Sequence, residues 1–217
     1  MAPKEPVRSF LWLILYAVCT YFFVSFVAPY FGAGDPLEQR RLSEICWLAA
    51  HFIFGFFALF LAPLQFFPAI RAKYPRMHRT IGKIYIIGTV GASCLAFYLL
   101  SSYPFPGSLI SLVFLDIIWL FTTILAWLFA KRQRFPAHRQ FMIRSYVCAL
   151  TFVYLRLFDK IDHYTGMLCF IKDEETRATV IDWLWIFPVM ITEFFLTWFP
   201  DLKKLKRNNE TGKFDSF

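Results

Sequence analysis

Four ionisable side chains interrupt stretches of this chain that are otherwise almost wholly apolar: Asp116, Arg144, Arg156 and Glu193. A charge in hydrocarbon is costly, so such a group carries a partner or a task. Asp116 lies about eight residues into its stretch, roughly 12 Å at 1.5 Å per residue. Arg156 approaches the same side from the next stretch, while Glu193 and Arg144 lie toward the other side. Depth therefore predicts two pairs, Asp116 with Arg156 and Glu193 with Arg144. They would serve either as structural ion pairs that align helices or as the flanks of a cavity for a substrate, ion or cofactor. As catalytic groups, Asp116 and Glu193 would be proton donors, with Arg144 and Arg156 as their charge partners. A buried acid in an aromatic interior suits cyclisation or isomerisation of an isoprenoid, because aromatic faces stabilise carbocations.

The four histidines sort by depth as well. His51 is six residues inside its stretch and His163 lies at or beyond a stretch end on the same side. His78 and His138 begin two other stretches on the opposite side. Two histidines per leaflet on different helices suit a pair of b-type haems, with Arg79, Arg139 and Arg156 available to the propionates. The competing reading is anchoring at headgroup level, which explains a His-Arg pair at a helix start without any cofactor. His78, His138 and Glu193 could also converge on a metal, but no HExxH or CxxC spacing supports one, so no metal site is expected.

The elements that position these groups are membrane helices. The chain has 217 residues, 58% hydrophobic, 21% aromatic and 18% charged, with a mean hydropathy of +0.51. A soluble domain is roughly 45–50% apolar and about 25% charged. The 28 Phe, 10 Tyr and 7 Trp exclude disorder. Six apolar stretches, residues 10–31, 45–67, 80–100, 108–130, 139–158 and 180–199, are each near the length that crosses about 30 Å of hydrocarbon. The alternation of a β-barrel is absent. The fold class is all-α, a six-transmembrane-helix bundle. Residues 1–200 form one integral membrane domain and 201–217 a basic polar tail. The first stretch exceeds a signal-peptide core and reads as a retained helix or signal anchor.

Lys4, Arg8 and the segments 71–83, 131–144 and 203–213 hold seventeen of the 23 Lys and Arg, and six spans put all of them on one side. The positive-inside rule then makes both termini cytoplasmic. The sequon Asn209-Glu210-Thr211 should accordingly stay unmodified. The net charge of +8 is a juxtamembrane collar facing anionic lipid; the expected partners are the bilayer and a hydrophobic small molecule, and nucleic acid is not expected. Which membrane holds the protein is not specified. Cys19, Cys94 and Cys148 read as small apolar residues within spans, whereas Cys46 and Cys169 share the non-cytoplasmic side and could pair in an oxidising compartment. Pro63 should free a backbone carbonyl in the second span, with Gln65 the default group to satisfy that opening.

Two loop–helix junctions look alike. Tyr74-Pro75-Arg76-Met77-His78-Arg79 leads to Lys83 and Tyr85, and Phe135-Pro136-Ala137-His138-Arg139 leads to Arg144 and Tyr146. They suggest a parallel repeat of two helical hairpins, spans two and three and spans four and five. The elements His51-x-x-x-Gly55, Ala58-Leu59, Pro63-Leu64-Gln65-Phe66, Pro75-x-x-His78-Arg79-x-x-Gly82-x-x-Tyr85, and His138-Arg139-x-x-Met142-Ile143-Arg144-Ser145-Tyr146 through Leu155-Arg156-Leu157 resemble a family of multi-pass membrane proteins known as a domain of unknown function. Phe141 stands where that family commonly has Trp. The resemblance implies the fold class and marks these residues; it implies no activity. Three functions remain open: b-haem redox chemistry, which the histidine layout favours narrowly; an enzyme acting on a lipid-like or isoprenoid substrate; and a small transporter or assembly partner.

Overall fold

A computed structural model describes residues 5–31, 42–102 and 108–204. The helices are α1 (Glu5–Phe22), α2 (Leu42–Gln65), α3 (Pro68–Lys73), α4 (Pro75–Ser102), α5 (Leu109–Lys131), α6 (Phe135–Thr165), α7 (Glu174–Trp183) and α8 (Ile186–Glu193). Six segments are long and apolar enough to cross a membrane: Phe10–Val27, Ile45–Gln65, Pro75–Ser102, Leu109–Lys131, Phe135–Thr165 and Glu174–Lys204. The chain is therefore an all-α, multi-pass integral membrane protein. The basic tail continues helical from 201 to 204. Lys4 and the sequon at Asn209 lie outside the described residues.

Several helices run past the apolar stretches that mark them. α4 starts at Pro75 rather than 80, and α6 runs from Phe135 to Thr165. Proline is at home in a first helical turn, where its missing N–H would have no partner anyway. Charged residues at the membrane surface end a hydropathy signal but not a backbone. His78, His138 and His163 are consequently all helical residues, and His163 occupies the last turn of α6 rather than a polar loop. Gly166 ends that helix at φ 64°, and its N–H donates to the Asp162 carbonyl at 2.7 Å. Asp173 caps α7: its carboxylate accepts from the Thr176 hydroxyl and N–H, which holds its pKa below the usual aspartate value.

Two hairpins, α2 with α4 and α5 with α6, make the largest helix–helix contacts, and α4 joins them by packing on α5. α1 lies against α2 and α6; α7 and α8 lie against α6. Glycines set the spacing within the first hairpin. A Cβ added at Gly88 would sit 3.0 Å from the Phe54 carbonyl oxygen, and one at Gly91 would sit 2.7 Å from the Phe54 ring. Small residues allow this close approach where no hydrophobic effect drives membrane helices together.

The distribution of side chains suits that solvent. Phe10, Leu13, Ile53, Ile87 and Phe121 point outward, while Thr89, Ser93, Ser111, Thr123 and Ser145 are fully buried. Pro63 stays within α2, and the hydroxyl of Tyr146 on α6 donates to the Leu59 carbonyl at 3.3 Å. The carbonyl that Pro63 frees is thus served by Tyr146, not by Gln65. Cys46 and Cys169 are exposed free thiols.

Candidate functional site: a polar column between α4, α5 and α6

On α4, His78, Gly82, Tyr85, Thr89 and Ser93 recur every three or four residues and so share one face. From His78 to Ser93 that face spans roughly 22 Å, most of the hydrocarbon thickness. On α5, Asp116, Trp119 and Thr123 share a face by the same spacing, and on α6 so do His138, Met142 and Ser145. These three faces meet in the interior.

The middle of the column is a hydroxyl chain. Ser145 Oγ lies 2.5 Å from both Tyr85 OH and Thr123 Oγ1. Thr123 donates its one hydroxyl proton to the Trp119 carbonyl at 2.8 Å. Ser145 must then donate to Thr123, and Tyr85 to Ser145. The chain is proton-ordered, running from Tyr85 through Ser145 to Thr123. The Trp119 indole and the Thr89 hydroxyl lie near the Tyr85 hydroxyl without good hydrogen-bond geometry.

Toward one end, Ser93 donates to Asp116 Oδ1 at 2.8 Å, and Asp116 is 6% exposed. Beyond it, Trp185 Nε1 donates to Ser111 Oγ at 2.9 Å, and Ser111 donates to the Asp182 carbonyl at 2.8 Å. Toward the other end stand Gln65, His78 and His138. A Cβ at Gly82 would lie 3.3 Å from Gln65 Oε1, which places Gln65 against α4 between the levels of His78 and Tyr85. His78 is within electrostatic reach of His138 and Arg71.

Six buried side-chain atoms lack a hydrogen-bond partner among the described residues: Gln65 Nε2, His78 Nδ1, Thr89 Oγ1, Asp116 Oδ2, Trp119 Nε1 and Arg144 Nη1. The first five follow this column. Buried polar groups are nearly always satisfied, by protein or by ordered water, so orphans aligned on one seam mark where water or a ligand belongs.

The sequence candidates divide accordingly. Arg144 and Glu193 do pair: Arg144 Nε bonds Glu193 Oε1, and Nη2 donates to Glu193 Oε2 and to Thr197 Oγ1, each at 2.9 Å. A cavity of about 40 Å³ between α5, α6 and α8 adjoins this pair and takes in Thr122 and Thr192. It is far below the 300 Å³ or more of a typical small-molecule site. Asp116 and Arg156 do not pair. Arg156 is exposed and lies within electrostatic reach of Asp182, because its position on α6 faces outward at that level. Arg79 and Arg139 are exposed beside their histidines, as residues next in sequence on a helix must point elsewhere.

His51 and His138 share a distinctive arrangement. His51 Nδ1 lies 3.0 Å from the Ala92 carbonyl, and His138 Nδ1 lies 2.8 Å from the Ala126 carbonyl. A carbonyl only accepts, so Nδ1 carries a proton in both rings, and in a neutral ring so held it is Nε2 that has the free lone pair. No contact joins His51 to His163 among the described residues, and His163 is exposed.

Sequence reasoning missed Thr89, Ser93, Trp119, Thr123 and the role of Tyr85 and Ser145. Tyr85-x-x-x-Thr89-x-x-x-Ser93 is a helical stripe of hydroxyls in an apolar stretch, and that spacing was the available signal. A family model described as a predicted membrane protein, DUF2306, matches residues 48–197, which include every residue of the column. No curated protein and no solved structure matches the chain.

Proposed function

We propose that this chain, which belongs to the DUF2306 family of predicted membrane proteins, is an integral membrane proton relay of the transporter class. The observation that carries this reading is the alignment of five unpartnered buried polar atoms with a proton-ordered hydroxyl chain on one interhelical seam. Polar chains of this kind inside membrane helices are the means by which protons cross hydrocarbon. Ordered waters at the orphaned atoms join His78 and Gln65 to Tyr85 at one end, and Thr89 and Trp119 to Asp116 at the other. A proton that reaches the Tyr85 hydroxyl from the His78 side releases the hydroxyl's own proton to the water at Thr89 and so onward to Asp116, while Ser145 and Thr123, whose chain ends on the Trp119 carbonyl, hold the Tyr85 hydroxyl in place. Asp116 is the one carboxyl on the seam among the described residues and the stopping point for the proton.

The test is proton flux into proteoliposomes that carry an internal pH dye. Asp116→Asn and Tyr85→Phe should each lower flux by ~10-fold or more, the scale on which a positioned proton-transfer group acts. Wild-type flux equal to that of protein-free vesicles removes the reading, as does full flux in both variants.

A second reading, b-haem electron transfer, is favoured by the histidine tautomers. An axial imidazole ligates through one nitrogen while the other donates to a carbonyl, and His138 is held in that way. His78 would supply the neighbouring imidazole, and Arg79 and Arg139, exposed at the same end of the bundle, would be the cations available to propionates. Bound there, haem would supply one-electron transfer. His51 has the same Nδ1 bond but no second imidazole in contact among the described residues. A Soret band lost in His138→Ala supports this reading; an absorption spectrum without one after haem supplementation ends it.

A further inference from the structure

The geometry points to a monovalent-cation site at Asp116, completed by Ser93 and Thr89, that takes Na+ in place of a proton. It rests on the relay reading in that both make Asp116 the charge-holding stop on the seam.

Asp116 is buried, with Oδ1 on Ser93 and Oδ2 unpartnered. None of the ion pairs among the described residues includes it. A carboxylate in hydrocarbon with no basic partner must be neutralised by a proton or a bound cation. The donor set selects the kind of cation. Thr89 lies one turn from Ser93 on the same face of α4, is fully buried and leaves its Oγ1 unpartnered. Ser93 is the side chain bonded to Asp116; along the same seam the next groups are Thr89 on α4 and Trp119 on α5, between Asp116 and Tyr85, and none of them is charged. Two hydroxyls and a carboxylate are hard oxygen ligands, with neither the thiolate nor the imidazole that a transition metal would prefer. One carboxylate balances one positive charge, whereas a divalent ion would leave a net charge inside the membrane. The remaining coordination falls to waters of the seam.

This site also explains an asymmetry in the column. Tyr85, Ser145 and Thr123 all have hydrogen-bond partners, whereas two oxygens on the seam between Tyr85 and Asp116, Thr89 Oγ1 and Asp116 Oδ2, have none.

Thermal unfolding of the purified protein in detergent tests the site, comparing NaCl with N-methylglucamine chloride at equal ionic strength. Saturating Na+ should raise Tm by about 3 °C or more, as a ligand of the folded state does. The shift should vanish in Asp116→Asn and in Thr89→Val, which keeps the shape and removes only the hydroxyl, and persist in the exposed control Ser101→Ala. In proteoliposomes Na+ should slow the proton flux. A wild-type Tm indifferent to Na+ overturns the site, and so does an undiminished shift in Thr89→Val. The two readings separate cleanly. Flux that needs Asp116 but ignores Na+, with no Tm shift, retains the relay and removes the cation site. A Na+-dependent Tm with no proton flux retains the cation site and removes the relay.

Discussion

Pro63 and Tyr146 form a coupled pair across two helices. Pro63 has no N–H to give the Leu59 carbonyl, and a carbonyl left bare in hydrocarbon costs free energy. The Tyr146 hydroxyl reaches it from α6. Tyr146→Phe should therefore destabilise the protein by about 1–2 kcal/mol. In a Pro63→Ala background the backbone serves Leu59 itself, and the loss should fall below ~0.5 kcal/mol. A double-mutant cycle measured by unfolding in detergent decides the matter; equal losses in both backgrounds would show that the hydroxyl does something else. The need for a partner at Leu59 was legible in the sequence, since it follows from a proline at mid-helix. The identity of the partner was not, because Gln65 is near in the chain and Tyr146 is near only in space.

At the scale of elements, the sixth span is the least regular. It breaks between α7 and α8 around Leu184 and Trp185, and continues after Glu193 through a π-helical turn, Phe194–Trp198. Two tethers hold it. Trp185 is hydrogen-bonded to Ser111 on α5, and Glu193 is paired with Arg144 on α6. The ion pair is partly screened, at 14% and 30% exposure, so it falls short of a fully buried one. Removing one partner leaves an uncompensated charge. Arg144→Gln and Glu193→Gln should each cost about 1–3 kcal/mol, and the double variant less than their sum. Additive losses in thermal unfolding would mean that the two side chains act separately. Depth arithmetic found this pair and failed for Asp116 with Arg156. Depth fixes height along the membrane normal, but the angular position on a helix decides which neighbour a side chain meets.

Among the described residues of the bundle, Thr89, Ser93, Ser111, Thr123 and Ser145 are buried while Phe10, Phe114, Phe121 and Phe195 face outward, the reverse of a soluble protein. α4 and α5 carry the column, α6 closes it, and the outer helices meet lipid. The repeat suggested by the His-Arg junctions predicts that α2–α4 superposes on α5–α6 in an experimental structure, and two hairpins that do not superpose would remove it. Orientation rests on the basic collar. With the positive side inward, reporter domains fused at either end should both be cytoplasmic, and Asn209 should carry no glycan in a eukaryotic host. Sugar at Asn209 would invert the assignment and with it the direction in which the column runs.

Hydropathy alone determined the number of spans and the membrane setting, because covering hydrocarbon is a property of each segment by itself. It also marked Asp116, Arg144, Arg156 and Glu193 as exceptional, because each breaks an apolar run. Only the tertiary structure decided which of them meet, that Asp116 answers to Ser93, and that hydroxyls on three helices line up into one column. Serine, threonine and tyrosine are tolerated in any membrane helix, so their presence is weak information. Their partners lie on other helices, and the rotation of each helix about its own axis is set only when all of them pack together.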